Sequence, residues 1–194
     1  MEKYIDFFKK IELDENLYYD LVKDIKDGKM YHSFFIPKRN DGFRQINSPN
    51  QVLKHIQRLI LKQLNEKYEN INNCCSYGFE KNKNNIINAK KHSHKKYIFN
   101  IDLKDFFTQI TQERVNGVLK SLYDDKISDI ISTLCCYNNC LPQGAPTSPI
   151  LSNMVLNKLD KAILYFVSKK GLYYTRYADD ITISGDYNFY NIVF

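Results

Sequence analysis

The chain has 194 residues, 43% of them hydrophobic and 26% charged, so it can bury a core as one large domain or two small ones. Lys and Arg outnumber Asp and Glu by 28 to 22, a net charge of +6. No apolar run reaches the roughly 18 residues of a membrane span, and the charged N-terminus is unlike a secretory signal. A membrane or exported protein is not expected. Five cysteines without zinc-type spacing favour a reducing cytoplasmic location.

The first half of the chain predicts two helices separated by a hairpin. A helix is predicted over 14–27, with Asp14 as its N-cap and Gly28 at its end. The extended runs YHSFFIP and FRQINSP then flank an Asp-Gly pair, which predicts a β-hairpin. Helical spacing of apolar residues returns over 51–68.

The second half predicts strands separated by longer helical segments. Aromatic and branched residues alternate over 97–103, which predicts a strand. Helical segments are predicted over 111–136 and after Pro149, and two short β-prone runs meet at Ala178–Asp179. This order indicates an α+β fold without regular βαβ repeats.

Three carboxylates occupy positions where buried strands are predicted. Asp102 interrupts the strand over 97–103, and Asp179 and Asp180 stand at the junction of the last two strands. A carboxylate there is costly unless a partner compensates, and Mg²⁺ or Mn²⁺ is a suitable partner for oxygen ligands. Two such ions about 4 Å apart can hold the attacking and leaving oxygens of phosphoryl transfer. The same dipeptide at 124–125 lies in a polar stretch and predicts only a solvated helix boundary.

Two further segments are compatible with a phosphate-bearing ligand. The segment LPQGAPTSPILSN over 141–153 has prolines, a glycine and small residues before a helix, which suits close backbone approach, although an ordinary loop has the same composition. The stretch over 81–96 holds six lysines, two histidines and no acid, and fits a solvated loop or a polyanion-binding surface. His92 and His94 near Cys74–Cys75 lack zinc-site spacing.

Six segments together resemble the signature blocks of bacterial reverse transcriptases. The segments are IPKRNDGFRQI (36–46), SYGF (76–79), NAKKH (88–92), IDLKDFF (101–107), LPQGAPTSP (141–149) and YADD (177–180). They occur in the order found in these enzymes and extend over about residues 31–185. The SYGF and NAKKH segments favour the retron type, while intron-encoded and phage-defence reverse transcriptases share most of the blocks.

The resemblance implies the fingers and palm of a right-hand polymerase. We expect an N-terminal helical segment over 1–30, fingers over 31–96 and an incomplete palm over 97–194. The palm sheet is expected to be antiparallel with helices on one face. Because family members continue into more palm strands and a helical thumb, the resemblance implies an absent thumb: a fragment, a shortened form or a split enzyme with a separate thumb chain.

The resemblance also implies a metal site. Asp102 and Asp179 would bind two Mg²⁺ ions, for which Mn²⁺ is an alternative. Asp180 would support them, and the backbone carbonyl of Leu103 would complete one of the two sites.

The incoming dNTP would be bound by residues from three of the blocks. Lys38 and Arg44 would bind its triphosphate, while Asp105 and Gln143 would line the sugar pocket. Phe107 would exclude a ribose 2′-OH by steric clash. Without the other blocks, the two basic residues would be ordinary hairpin charges, and Gln143 could simply brace its loop.

Nucleic-acid contacts are implied in two places. Gly144 and Tyr177 would lie against the template–primer duplex. The candidates for RNA contact in the basic stretch are Asn88, Lys90, Lys91, His92 and Lys95.

The implied function is an RNA-directed DNA polymerase that extends a primer 3′-OH with dNTPs on an RNA template. A retron-type enzyme would copy a cognate structured non-coding RNA and would act in anti-phage defence, with an effector protein as a possible partner. One alternative is a nucleic-acid-binding module without activity of its own. A nuclease with the same carboxylates is a weaker alternative, because no water-activating His or Glu stands beside them in the sequence.

Overall fold

The fold is described from a computed structural model for residues 2–38, 42–69 and 74–193. The chain divides into two compact units. Unit 1 comprises Met1–Ile71 and Phe107–Val155, and unit 2 comprises Asn72–Phe106 and Leu156–Phe194. Residues 74–96 belong to the same unit as the strands that carry the three aspartates, and the boundary between fingers and palm after residue 96 stays a prediction.

The elements alternate between helices and short strands. In chain order they are α1 (Glu2–Lys10), α2 (Glu15–Lys26), β1 (Tyr31–Pro37), β2 (Phe43–Pro49), α3 (Gln51–Tyr68), α4 (Asn85–Lys90), β3 (Tyr97–Asp102), α5 (Gln112–Leu119), α6 (Asp125–Cys135), α7 (Ser148–Ser168), β4 (Tyr173–Tyr177), β5 (Asp180–Gly185) and α8 (Tyr190–Val193). The mixture confirms the predicted α+β class.

Side-chain caps fix the beginnings of several helices. Asp14 accepts a hydrogen bond of 2.8 Å from the Leu17 amide and caps α2 as predicted. Asp124 accepts a bond of 3.0 Å from the Ile127 amide and caps α6, which confirms that the 124–125 pair is a helix boundary. This cap also divides the helical segment predicted over 111–136 into α5 and α6. Helix α7 begins before Pro149 because proline fits the first turn of a helix, where no amide donor is needed.

Unit 1 consists of a hairpin and a helical core. Strands β1 and β2 are antiparallel, with Tyr31 opposite Pro49 at one end and Pro37 opposite Phe43 at the other. The Asn40–Asp41 part of the predicted turn lies outside the described residues. Helix α6 packs against α1, α2, α3 and α5. The predicted apolar face of α3 is buried through Leu53, Ile56, Ile60 and Leu64.

Unit 2 is built on an antiparallel sheet with the strand order β3-β5-β4. One face carries a core to which Val167 of α7, Tyr174, Ile181 and Ile183 contribute. A short segment also runs parallel to β4, because the Arg176 amide donates to the Cys75 carbonyl at 2.9 Å and the Tyr77 amide donates to the Arg176 carbonyl at 2.7 Å. These bonds explain why the unit begins near residue 72.

No helix within the described ranges is long and apolar enough to cross a membrane. The five cysteines are all free thiols. Cys135 and Cys136 are buried at the end of α6, where they pack as small apolar side chains.

Candidate active site

Two of the predicted aspartates face each other across the sheet of unit 2. Asp102 is the last residue of β3, Asp180 is the first residue of β5, and the two are paired in the antiparallel register. Residues directly opposed in this way have Cα atoms about 4.5–5.5 Å apart and side chains on the same face. Both residues are exposed, so their carboxylates are accessible to a ligand at this end of the sheet.

The third aspartate lies in the adjoining turn. Ala178 and Asp179 form the two-residue connection between β4 and β5, as predicted. The Leu103 amide donates a hydrogen bond of 3.0 Å to the Asp179 carbonyl, which extends the pairing of β3 with β5 by one residue. The backbone therefore brings Asp102, Leu103, Asp179 and Asp180 to one corner.

The corner is electrostatically negative. Partial burial, followed by the charges of Asp179 and Asp102, raises the pKa of Asp180 above its ordinary value. No ion pair with Lys, Arg or His is formed by these three aspartates within the described part of the chain. In that same part, no group of three or more His, Cys, Asp or Glu side chains converges as a ready-made metal cage. The three aspartates are thus close together along the backbone, but their side chains do not form a complete set of metal ligands.

The sheet face beside the aspartates is polar and ordered in rows. Tyr177 pairs with Asp180, which pairs in turn with Asp102, so Tyr177 shares their row. In the next row, the Thr182 hydroxyl donates to the Asn100 side-chain oxygen at 3.0 Å. This pair was not predicted from the sequence, although alternation along β3 and β5 places both residues on the face of the aspartates.

Lys38 and Arg44 belong to the hairpin of unit 1. The Lys38 amide donates to the Gly42 carbonyl at 3.0 Å, and Arg44 lies opposite Ile36. Both basic side chains are exposed. Their charged groups are therefore available to an anionic ligand.

The loop that carries Gln143 and Gly144 is held against strand β2. The Gln143 carbonyl accepts a hydrogen bond of 2.8 Å from the Asn47 amide. Gly144 has φ +130°, and a Cβ there would stand 2.9 Å from the Ile46 Cγ2 atom and 3.0 Å from the Asn47 carbonyl oxygen. Contact with β2 is thus sufficient to require glycine, a reason different from the predicted approach of a template–primer duplex.

The residues after β3 form a turn instead of continuing the strand. Asp105 has φ +51° and is exposed. Phe106 is buried at 7% exposure, whereas Phe107 is half-buried. Phe106 is therefore a core residue, whereas part of the Phe107 ring is accessible.

The basic stretch contributes one residue to the interior of unit 2. The ring nitrogens of His92 lie 2.7 Å from the Ser184 hydroxyl on β5 and 2.7 Å from the Thr175 hydroxyl on β4. The side chain is 4% exposed, and burial lowers its pKa. His92 thus ties residues 85–96 to the sheet, and this buried position corrects its placement among surface residues available to RNA.

The other candidates for RNA contact differ in accessibility. Lys90 and Lys91 are exposed, and Asn88 is half-buried at α4. Lys95 forms an ion pair of 2.9 Å with Asp186, and its ammonium lies 4.2 Å from the centre of the Tyr173 ring. The Lys95 ammonium therefore already has two partners within the fold, which makes it less accessible to RNA than Lys90 and Lys91.

The ion pair of Arg176 and Asp160 is buried and was not predicted from the sequence. Both side chains are 1% exposed, and the Arg176 Nη2 atom lies 2.7 Å from the Asp160 Oδ2 atom. The signal was an arginine within the β-prone run LYYTRY, where an unpaired charge would be costly to bury. The partner could not be chosen from the sequence because Asp160 lies on α7, in a different element.

The family model for reverse transcriptase (RNA-dependent DNA polymerase) matches residues 36–188. This range includes β2 with the last two residues of β1, the loop over 141–153 and all three aspartates. The match therefore contains every candidate site residue.

Curated relatives are similar over much of the chain. The retron Ec86 reverse transcriptase of Escherichia coli is 44% identical over 142 residues, which cover 73% of this chain and 44% of that protein. The retron Mx65 reverse transcriptase of Myxococcus xanthus is 32% identical over 188 residues, 87% of this chain and 44% of that protein. The chain thus spans less than half the length of these relatives.

Among solved structures, the telomerase from Candida albicans in complex with a TWJ fragment of telomeric RNA has a similar fold. Its TM-score is 0.58 at 13% sequence identity, over 84% of this chain and 39% of that chain. At this identity the similarity supports the fold alone.

Proposed function

Because this chain belongs to the reverse transcriptase family, and to its retron type, we propose that it carries the fingers and palm of an RNA-directed DNA polymerase. Its reaction is the extension of a primer 3′-OH with dNTPs on an RNA template. The observation that supports this most is the pairing of Asp102 with Asp180 beside the Asp179 turn, within the range that matches the family.

The aspartate corner fits a divalent cation by its chemistry. Reverse transcriptases generally use divalent metals. Hard oxygen ligands suit Mg²⁺ and Mn²⁺. Partial burial, followed by the charges of Asp179 and Asp102, raises the pKa of Asp180, and a bound cation would offset both effects. We assign Asp102 and Asp179 as ligands of two Mg²⁺ ions, with Asp180 and the Leu103 carbonyl in support. When bound, such ions lower the pKa of an attacking hydroxyl and stabilise the charge on phosphate oxygens.

We assign the incoming dNTP to five residues by the family pattern. Arg44 offers a planar pair of donors that suits phosphate, and Lys38 offers a point charge. Asp105 and Gln143 are assigned to the sugar, and Phe107 is assigned to the exclusion of a 2′-OH. The exposure of both basic side chains supports the first part of this assignment.

Template and primer are assigned to Gly144, to Tyr177 and to the basic stretch over 81–96. The position of Tyr177 in the row of Asp180 and Asp102 supports its part. Exposed Lys90 and Lys91 would neutralise RNA phosphates, with Asn88 and Lys95 as further contacts.

The wider biology is proposed by analogy with the retron relatives. We propose that the substrate is a cognate structured non-coding RNA and that the full system acts in anti-phage defence. We propose an effector protein as a further partner. Five free thiols support a location in the reducing cytoplasm.

The test combines three assays on the 194-residue chain, of which the first two use a labelled RNA–DNA primer–template. Filter binding measures association, and primer extension with Mg²⁺ and dNTPs measures the reaction. Binding with extension supports the proposal. Binding without extension favours a nucleic-acid-binding module, which the exposed basic stretch supports. Cleavage of labelled RNA in Mg²⁺ without dNTPs would indicate a nuclease instead.

A further inference from the structure

The turn that carries Asp179 contains a residue in an unfavourable backbone conformation. Ala178 has φ +55°, in the left-handed region that residues with a Cβ rarely occupy. Such a conformation persists when the surrounding structure determines it, and it is common at functional sites. Unit 2 contains two contacts that hold Ala178 in this state.

The first contact is a hydrogen bond from a buried arginine to the Ala178 carbonyl. Arg176 donates through Nη1 to the Ala178 carbonyl oxygen at 2.8 Å. Its guanidinium is fixed by Asp160, since Nη2 donates to Oδ2 at 2.7 Å and Nε donates to Oδ1 at 2.9 Å. The Tyr174 hydroxyl donates to the same carboxylate at 2.7 Å. Because a bidentate pair leaves the guanidinium little freedom, the third donor stays directed at the turn.

The second contact is made by the backbone of Gly78 on the amide side of Ala178. A Cβ added to Gly78 would overlap the Ala178 nitrogen, and would stand 3.0 Å from the Tyr177 carbonyl carbon and 3.1 Å from the Ala178 Cα. The nearby bonds between Arg176 and the backbones of Cys75 and Tyr77 keep this segment alongside β4. Because the neighbouring atoms are backbone, a side chain at position 78 would have to displace the turn.

We propose that Gly78 and Arg176 are positioning residues, which hold the Ala178 backbone from both sides and thereby set the place of the Asp179 carboxylate. The proposal rests on the proposed function, because it assigns the polymerase reaction a need for this placement. It gives the SYGF segment a role in the active site without any contact to substrate. A displacement of about 1 Å at a reacting group can lower a rate by about 100-fold.

The test compares Gly78→Ala with Gly117→Ala in the 194-residue chain. Gly117 lies in α5, and a Cβ there would meet nothing within 4 Å, so it is a matched control for the same chemical change. Hydrogen–deuterium exchange is measured for residues 177–181 and for a reference segment of α7, residues 158–167. Single-nucleotide incorporation gives kcat and KM for the dNTP. Arg176→Lys, which keeps the charge but loses the planar donor pair, is measured in the same way.

In Gly78→Ala we expect faster exchange at 177–181 with the α7 segment unchanged, and Gly117→Ala equal to wild type. In Arg176→Lys we expect exchange at 177–181 to rise more than in the α7 segment, which contains its partner Asp160. We also expect kcat to fall by about 100-fold with KM unchanged. Equal exchange at 177–181 in all proteins would overturn the proposal. Equally faster exchange at 177–181 and at 158–167 in Gly78→Ala would also overturn it, because Gly78 would then support the whole unit. If wild type and Gly117→Ala also fail to incorporate dNTP, the proposed function fails, and exchange alone decides the positioning role.

Discussion

Asp102 lies directly opposite Asp180 in the antiparallel register of β3 and β5, where both strands reach the Ala178–Asp179 turn. Opposed positions point to one face of a sheet, so two carboxylates distant in sequence share one surface. The Leu103–Asp179 backbone hydrogen bond adds the third to the same corner. A cation at this corner would be bound by residues that sheet pairing has already brought together.

Removing the aromatic ring at position 107 is expected to weaken sugar discrimination. Phe107→Val should leave dATP incorporation largely intact while raising incorporation of ATP, because the clash with a 2′-OH is lost. The measurement is the ratio of kcat/KM for dATP and ATP on one primer–template. An unchanged ratio would assign the gate to another residue.

Loss of a basic side chain from the hairpin is expected to weaken dNTP binding. Lys38→Ala or Arg44→Ala should raise KM for dNTP by about 10- to 100-fold, since a hydrogen bond to a charged group contributes about 1.5–3 kcal/mol. Lys62→Ala removes an equal charge from the exposed side of α3 and is the control. If all three variants have the same KM, the hairpin charges are ordinary surface charges.

Helices α2 and α3 and the turn between β4 and β5 could be predicted from local sequence, whereas the meeting of Asp102 with Asp180 was implied only by the family resemblance. Caps such as Asp14 and the apolar face of α3 depend on neighbours within one or two turns. Two short β-prone runs that meet at Ala178–Asp179 predict strand β4 and the turn after it.

The contacts that organise unit 2 could not be predicted in this way. His92 binds Ser184, which lies 92 residues away along the chain, and Cys75 and Arg176 pair across a similar separation. Local periodicity carries no information on such partners. For the same reason His92 was placed among the candidates for RNA contact.

The buried histidine is expected to make stability depend on pH. Burial lowers the pKa of His92 in the folded state, whereas the unfolded chain has the ordinary value of about 6.5. Below pH about 6.5 the unfolded state therefore binds more protons than the folded state. As the pH falls towards the folded-state pKa, the free energy of unfolding falls by at most about 1.4 kcal/mol per pH unit. Urea titrations of wild type between pH 7.5 and pH 5 (about the range where His titrates) should show this loss.

The variant His92→Gln should remove that part of the pH dependence. His94→Asn is the control, because His94 is exposed and Asn tolerates its φ of +65°. If His92→Gln keeps the full slope of wild type, other groups cause the pH dependence.

The buried ion pair is expected to contribute strongly to stability. Asp160→Asn leaves the buried Arg176 without its counter-charge and should lower the free energy of unfolding by about 3–5 kcal/mol. Asp186→Asn breaks the Lys95 pair at the surface, where Asp186 is 60% exposed, and should cost at most about 1 kcal/mol. Equal midpoints of urea unfolding for the two variants would contradict the importance of the buried pair.

The most direct measurement is single-nucleotide incorporation by Asp179→Asn and Asp125→Asn beside wild type, with RNA–DNA binding measured in parallel. Asp125 belongs to the other Asp-Asp pair, in the first turn of α6, and is a matched control. We expect the rate of incorporation to fall by at least about 1,000-fold in Asp179→Asn alone, while RNA–DNA binding is retained. The reason is that metal ligation contributes several kcal/mol, and each 1.36 kcal/mol changes a rate tenfold. Incorporation by Asp179→Asn at the wild-type rate would contradict the assignment of this corner as the catalytic centre.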